Sequence, residues 1–293
     1  MQCAVSFTLF TKKTMAIPGK YNTLNISKVV DFGVYLDGEQ LGEILLPMKW
    51  VPEGTRPNSS LEVFIYFDSE DRLIATTMKP YAQVGEFALL KAKAVNEVGA
   101  FMDWGLDKDL LVPYREQKAK MIADRFYLVY IYADPKTGRI AGSARLERFF
   151  DPEPAELNPG EEVDLIIWTK SDLGYKAIIN NQHEGLLYES EIFQELERGQ
   201  HLKGYVVKVR EDGKIDLNLH KPGFEKVDEL SAKILEMLEQ HKGFLGVSDK
   251  SPADEIYLLF GVSKKTFKKA VGGLFKQRLI DIESDGIRLT SKD

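Results

Sequence analysis

Phe32 and Tyr35 bracket a glycine in the stretch Val29-Val30-Asp31-Phe32-Gly33-Val34-Tyr35-Leu36-Asp37, which is followed by Leu45-Leu46-Pro47. Two rings on the outer face of a β surface can stack on unpaired nucleobases, at about 1–3 kcal/mol per base and with little regard to sequence. In an unbroken strand the two positions have opposite parity and face opposite sides. Gly33 permits a bulge or bend that resets the parity and brings both rings to one side. Arg72, Arg139 and Lys214 each open a β-type run after a turn. Those are positions where a phosphate can be met. A second charge-bearing segment, 263–278, carries Lys264, Lys265, Lys268, Lys269, Lys276 and Arg278 with no acidic residue among them.

Catalytic patterns are missing from the sequence. It contains no GxxxxGK[ST] loop, no GxGxxG after a strand and no GxSxG elbow. His183, His201, His220 and His241 lack ligand spacing, so no metal is expected. The acidic residues Asp68, Asp71, Asp134 and Asp212 sit in turn sequences, where aspartate bonds to local backbone. We therefore expect no enzymatic activity and no cofactor.

The chain has 293 residues, longer than one usual domain, with 44% hydrophobic and 29% charged residues. One cysteine, Cys3, excludes an internal disulfide framework and points to the cytoplasm. No apolar run has the length of a membrane span, so no membrane partner is expected. Residues 1–14 read as a poorly ordered extension ahead of Met15, as a mis-set start codon would give. The net charge of −6 does not advertise nucleic-acid binding, but local basic stripes set the contact potential.

The segments that carry these residues form a repeat. Gly33 and Pro47 recur as Gly99 and Pro113 at one offset of 66 residues (99 − 33, 113 − 47), and Tyr66-Phe67-Asp68 recurs as Tyr132-Ala133-Asp134. A third copy follows 75 residues on: Gly99 to Gly174, and Gly138-Arg139-Ile140 to Gly213-Lys214-Ile215 (174 − 99, 213 − 138). Short β-type runs joined by turns predict small barrels: 25–36, 43–46, 61–67 and 72–77 in the first copy, and 86–94, 110–112, 126–132 and 140–143 in the second. Residues 114–123 read as a short helical insert. In the third copy Asp212-Gly213 predicts a hairpin between 202–209 and 214–219.

Beyond Lys221-Pro222-Gly223 the pattern turns helical. Val227, Leu230, Ile234 and Leu238 have helical spacing. Ser251-Pro252 opens a second helix to Phe260, and Ser263 caps a third that reaches about Gln277 and buries Phe267, Val271, Leu274 and Phe275. A hairpin over 280–289 completes the plan of a winged helix. The lysines of the third helix share its outer face, which can lie along phosphates. The expected domains are barrels at 15–80, 81–150 and 151–222, and a winged helix at 223–293.

The run Asp31–Leu36 followed by Leu45-Leu46-Pro47 resembles the S1 RNA-binding repeat, a five-stranded OB-type barrel. Three such modules ahead of a winged helix resemble the conserved-virulence-factor-B family of bacterial RNA-binding regulators, over roughly 15–293. The resemblance implies an aromatic pair in each module and a histidine or other ring further on. The first module keeps Phe32 and Tyr35. The second keeps Phe101, with Val98 in the other place and Trp104 as a substitute ring. The third has Leu173 and Lys176 at the pair and Tyr188 where histidine is expected, with Trp168 and Tyr175 nearby. Pro47 and Pro113 hold the histidine position in the first two. Aromatics on strands also serve as core, and a winged helix also serves as a protein-docking module.

The expected function is binding of single-stranded RNA, with a role in post-transcriptional control of gene expression. Two other classes remain open: a DNA-binding transcription regulator led by the winged helix, and a scaffold associated with the ribosome or the transcription machinery.

Overall fold

Leu24 and Ile26, Val34 and Leu36, and Ile44 and Leu46 place alternate apolar side chains on one face of successive short strands, and such a sheet buries that face by curling closed. The structure, a computed structural model, describes residues 15–153, 155–192, 194–219 and 225–290, without the side chains of 225–229. The extension 1–14, the connector Lys221-Pro222-Gly223 and the Val227 side chain lie outside the described residues. The chain divides into two compact units, 1–149 and 150–293.

In the first unit, β1 (Tyr21–Val30), β2 (Gly33–Asp37), β3 (Glu43–Pro47), β4 (Ser60–Phe67) and β5 (Leu73–Thr76) close a barrel in the order β1-β2-β3-β5-β4. Then β6 (Phe87–Val95), β7 (Gly99–Asp103), β8 (Leu110–Pro113), β9 (Phe126–Ala133) and β10 (Ile140–Ser143) form a sheet ordered β10-β9-β6-β7-β8, whose end strands run beside each other. In the second unit β11 (Glu162–Ser171), β12 (Gly174–Ile179), β13 (His183–Tyr188), β14 (His201–Val209) and β15 (Ile215–Asn218) close a barrel of the first type.

The repeat offsets are built into the backbone. The first strand of each module bulges just after Ile26, Ala92 and Ile167. A 3-10 turn follows the third strand each time, at Met48–Trp50, Tyr114–Glu116 and Glu189–Glu191. A Cβ added at Gly33, Gly99 or Gly174 would lie 2.3, 2.3 or 2.1 Å from the carbonyl oxygen of Leu46, Val112 or Leu187, so the second and third strands approach too closely there for any side chain.

Two local expectations change. The run 25–36 is two strands, with Asp31 and Phe32 in the turn between them, and the bulge lies at Ser27 in β1 rather than at Gly33. Residues 114–123 hold only the short 3-10 turn. The buried Gln117 amide donates to Val112 O and accepts from the Met121 N–H, satisfying backbone groups that a helix would have paired internally.

Within the first unit, β4 is buried on both sides. Val63 and Ile65 face their own barrel, while Phe64 and Tyr66 pack with Trp104 of the second. Phe64 meets Trp104 edge-on at 5.8 Å. Burial there, together with the Asp107 and Asp68 carboxylates, pushes the Tyr66 phenol up to about 12.

The winged helix comprises α1 (Glu225–Gln240), β16 (Phe244–Leu245), α2 (Ala253–Phe260), α3 (Lys264–Lys276), β17 (Ile280–Ile282) and β18 (Ile287–Leu289), with a sheet ordered β16-β18-β17. Gly261 ends α2 in the left-handed conformation (φ 68°), and the Ser263 side chain accepts the Thr266 N–H to start α3. Its core joins Ile234, Leu238, Ile256, Phe267, Ala270, Val271 and Leu274. Phe275, expected inside, is 49% exposed. At 100° per residue it has rotated off the stripe that Ala270 completes.

Candidate nucleic-acid interface

The first barrel presents its two rings together. Val34 and Leu36 point inward, so Tyr35 between them points out, and Phe32 projects from the turn with 60% of its surface exposed. The ring centres are 6.3 Å apart and nearly perpendicular (83°). Lys28, which sequence reading passed over, lies across the strand pair from Tyr35, with Nζ 4.3 Å from the ring centre and 2.6 Å from Glu43 Oε2. The Ser27 hydroxyl donates to Glu43 Oε1 at 3.0 Å and lies 3.1 Å from Tyr35 O. The hydrogen bond from Lys28, then that from Ser27, holds the Glu43 carboxyl below its ordinary value. The signal for Lys28 was its cross-strand register, visible only once the bulge was placed. Arg72 is folded back on its turn, donating to Asp68 at 2.9 Å and pairing with Glu70.

The second barrel splits the predicted set. Phe101 is half-buried on the outer face of β7, opposite Leu111, and Val98 is 52% exposed. Trp104 is a correction. It is 3% exposed, wedged against Phe64, with its indole N–H donating to Lys108 O at 2.6 Å, so it is core and offers no stacking face. A groove of about 360 Å³ runs from Phe101 past Leu111 and Tyr132 to Lys108, Arg115 and Arg139. Arg139 does not reach into open solvent alone: it donates to Asp71 at 2.6 Å, and Arg115 donates to Asp134 at 3.1 Å. Arg115 was legible from the repeat, because Lys49 stands at the equivalent place in the first module (115 − 49 = 66).

The third barrel stows its rings. Tyr175 occupies the inward parity and is 6% exposed in the core, which removes it from any outer face. Trp168 is the bulge residue, 8% exposed, packed edge-on with Phe150 at 5.5 Å and covered by Lys176, whose Nζ lies 5.3 Å from its ring. Lys176 itself pairs with Glu184 at 2.6 Å. Tyr188 donates its hydroxyl to Asp216 and accepts from Arg210, which also pairs with Asp216 at 2.9 Å. Lys214 pairs with Asp212 at 2.8 Å. Leu173 projects, 63% exposed.

On α3 the five lysines do not act alike. Lys264 donates to Ser251 O at 2.7 Å and so braces the preceding loop, while Lys268 lies 3.7 Å from Asp249. Lys265 and Lys269 are exposed and have no acidic partner among the described residues, and exposed Lys276 continues their line at i, i+4, i+11.

Comparison with known proteins gives the geometry its context. Residues 18–78 match the S1 domain model, and residues 232–289 match that of the CvfB-like winged helix domain. Both domain types support a nucleic-acid-binding role. No helix among the described residues is long and apolar enough to cross a membrane. The chain is similar to a solved multidomain protein with nucleic acid binding domains from Streptococcus pneumoniae: 25% identity, 93% of this chain and 98% of that one covered, TM-score 0.39. It is 28% identical to conserved virulence factor B of Staphylococcus aureus (strain USA300), over 78% of this chain and 79% of that protein. It is 30% identical to the uncharacterized protein YitL of Bacillus subtilis (strain 168), over 88% of this chain and 89% of that one. On that identity, and with both domain models in place, the chain belongs to the conserved-virulence-factor-B family.

Proposed function

We propose that the protein binds single-stranded RNA and acts in post-transcriptional control of gene expression, in the cytoplasm and without catalysis. The observation that carries this is the pair of an exposed Phe32 and a half-exposed Tyr35 beside Lys28 on one barrel face. Rings supply sequence-tolerant stacking on unpaired bases, and the adjacent ammonium meets the backbone. A-form and B-form duplexes keep their bases stacked inside, so such a face selects single strands. The second barrel's Phe101 and the α3 lysines extend the contact, and several weak sites on one chain gain affinity through effective concentration.

Duplex DNA binding is the second reading, favoured by the Lys265, Lys269 and Lys276 line on α3. No Arg, Asn or Gln stands in the first turns of that helix to read bases, so such binding would follow phosphates.

Fluorescence anisotropy of the full chain with a 12-mer of single-stranded RNA, the same single-stranded DNA and a DNA duplex tests both. The expected order places single-stranded RNA first, with log affinity falling against log salt by about 0.7 per phosphate contacted. Duplex binding alone, abolished by K265E/K269E and indifferent to F32A/Y35A, would refute the RNA reading and establish the second.

A further inference from the structure

The turn between β4 and β5 contains two aspartates with different duties. Asp68 closes the turn: its Oδ1 accepts the N–H groups of Glu70 and Arg72, and its carbonyl accepts the Asp71 N–H. Asp71 takes no part in that bonding through its side chain. Its Oδ2 accepts from Arg139 at 2.6 Å and its Oδ1 from Lys108 at 3.1 Å, both residues of the second barrel, and Lys108 also donates to Asp68 O at 2.5 Å. Asp71 stands in the left-handed region (φ 60°), where asparagine or glycine would serve the backbone equally. What the carboxylate adds is a negative charge held between two cations.

Those cations stand at the rim of the groove that Phe101, Leu111 and Tyr132 line, and Asp71 itself lines it. The groove's volume of about 360 Å³ lies at the small end of the roughly 300–1,000 Å³ range of ligand pockets, which suits one nucleotide. A guanidinium and an ammonium converging on a carboxylate offer donors that a phosphodiester oxygen can use in the same way. Both pairs are exposed, with Arg139 and Asp71 side chains 61% and 43% accessible, so they contribute little to stability and exchange readily.

We propose that this groove is a one-nucleotide subsite whose phosphate position is held, in the free protein, by the Asp71 carboxylate. An incoming phosphodiester displaces Asp71 from Arg139 and Lys108 while its base packs on Phe101 and Tyr132. The inference rests on the single-stranded RNA reading and goes beyond it. The first barrel supplies an internal competitor to the second, which weakens non-specific phosphate contact unless a base fills the apolar part of the groove.

The test measures binding of fluorescein-labelled U12 to the full chain at low salt. D71N and D71G both suit the left-handed backbone, and two exposed pairs released at a few-fold each predict about three- to tenfold tighter binding. The gain should shrink as salt screens it and vanish in a D71N/R139Q double variant. D124N is the control. Asp124 also sits in the left-handed region (φ 64°) and pairs with an exposed lysine, Lys91 at 2.8 Å, so its change of charge is the same. Unchanged affinity in both Asp71 variants, an equal gain in D124N, or a gain that survives R139Q overturns the subsite while leaving the RNA reading intact. Failure of wild type and variants alike to bind any single-stranded RNA overturns the RNA reading, and the subsite falls with it.

Discussion

Where the first barrel carries Phe32 and Tyr35 on its outer face, the third carries Leu173 and Lys176 at the same places in an equally closed sheet. The bulge residue is Ser27 in one and Trp168 in the other. In the first barrel this small residue leaves Phe32 exposed and Tyr35 half-exposed, with Lys28 over the Tyr35 ring and paired with Glu43. In the third the indole fills the bulge, Lys176 lies across it, and Glu184 takes the lysine's charge. The ring at the far end, Tyr188, has its hydroxyl committed to Arg210 and Asp216. One backbone plan therefore supports an open aromatic face and a closed polar one. What separates them is how far the rings stand in solvent, since Lys28 and Lys176 are both ion-paired while Phe32 is exposed and Trp168 and Tyr175 are buried.

The largest expected effect tests that separation directly. F32A/Y35A should weaken binding of single-stranded RNA by at least about tenfold, since each ring gives up about 1–3 kcal/mol of stacking. L173A/K176A should change it by less than about threefold. Equal losses in anisotropy titrations would erase the contrast. Thermal melting of F32A/Y35A should stay close to wild type, because Phe32 is exposed and Tyr35 half-exposed.

Next comes the stowed ring. Trp168→Ala should cost about 3 kcal/mol of stability, within the range for removing a buried tryptophan, and leave RNA affinity unchanged. Denaturant unfolding together with anisotropy checks both halves. A variant that stays stable but binds RNA weakly would return Trp168 to the binding face. A smaller effect is expected from Tyr188→Phe. Losing one hydroxyl that bridges Arg210 and Asp216 should cost on the order of 1 kcal/mol, with no change in RNA binding.

Much of this contrast was legible in the sequence, and the parts that were not share a cause. The offsets of 66 and 75 residues found the repeat, and the bulges and 3-10 turns recur at them although the sequence had placed the first bulge at Gly33, because glycines forced by close strand approach are local requirements. Spacing announced the helices of the winged domain and the Ser263 cap announced α3, whereas α2 starts at Pro252 without a side-chain cap and the two-residue β16 had no pattern long enough to read. Trp104, Tyr175 and Phe275 went astray because exposure is a property of the assembled surface. Trp104 is covered by Phe64 from another module, and the signal was the unbroken run Val63-Phe64-Ile65-Tyr66, which lacks the alternation of a strand with one wet face. Tyr175 could have been placed inside by counting parity from Gly174. The ion pairs that occupy Arg72, Arg139 and Lys214 join residues from neighbouring turns and strands, and nothing in composition distinguishes a paired arginine from a free one.

The smallest expected effect concerns Lys28, the cation on the open face. Its hydrogen bond, with that of Ser27, depresses the Glu43 carboxyl below its unfolded value of 4.5. A carboxylate depressed in the folded state adds stability that is complete above the unfolded value and is lost as pH falls through the folded one. The pair is therefore intact at neutral pH and opens only in acid, below about pH 4.5. Glu43→Gln imposes the uncharged state at neutral pH and leaves Lys28 without its carboxylate. Melting temperature at pH 7 should fall only slightly, since the pair is exposed, and its remaining dependence on pH below 4.5 should be shallower than in wild type. RNA affinity should rise by no more than about threefold, in proportion to one released surface cation. The Lys28→Ala, Glu43→Gln double variant should lose that gain. If the gain persists without the lysine, the open face owes its charge to some other group, and Phe32 and Tyr35 would stand as a purely aromatic platform.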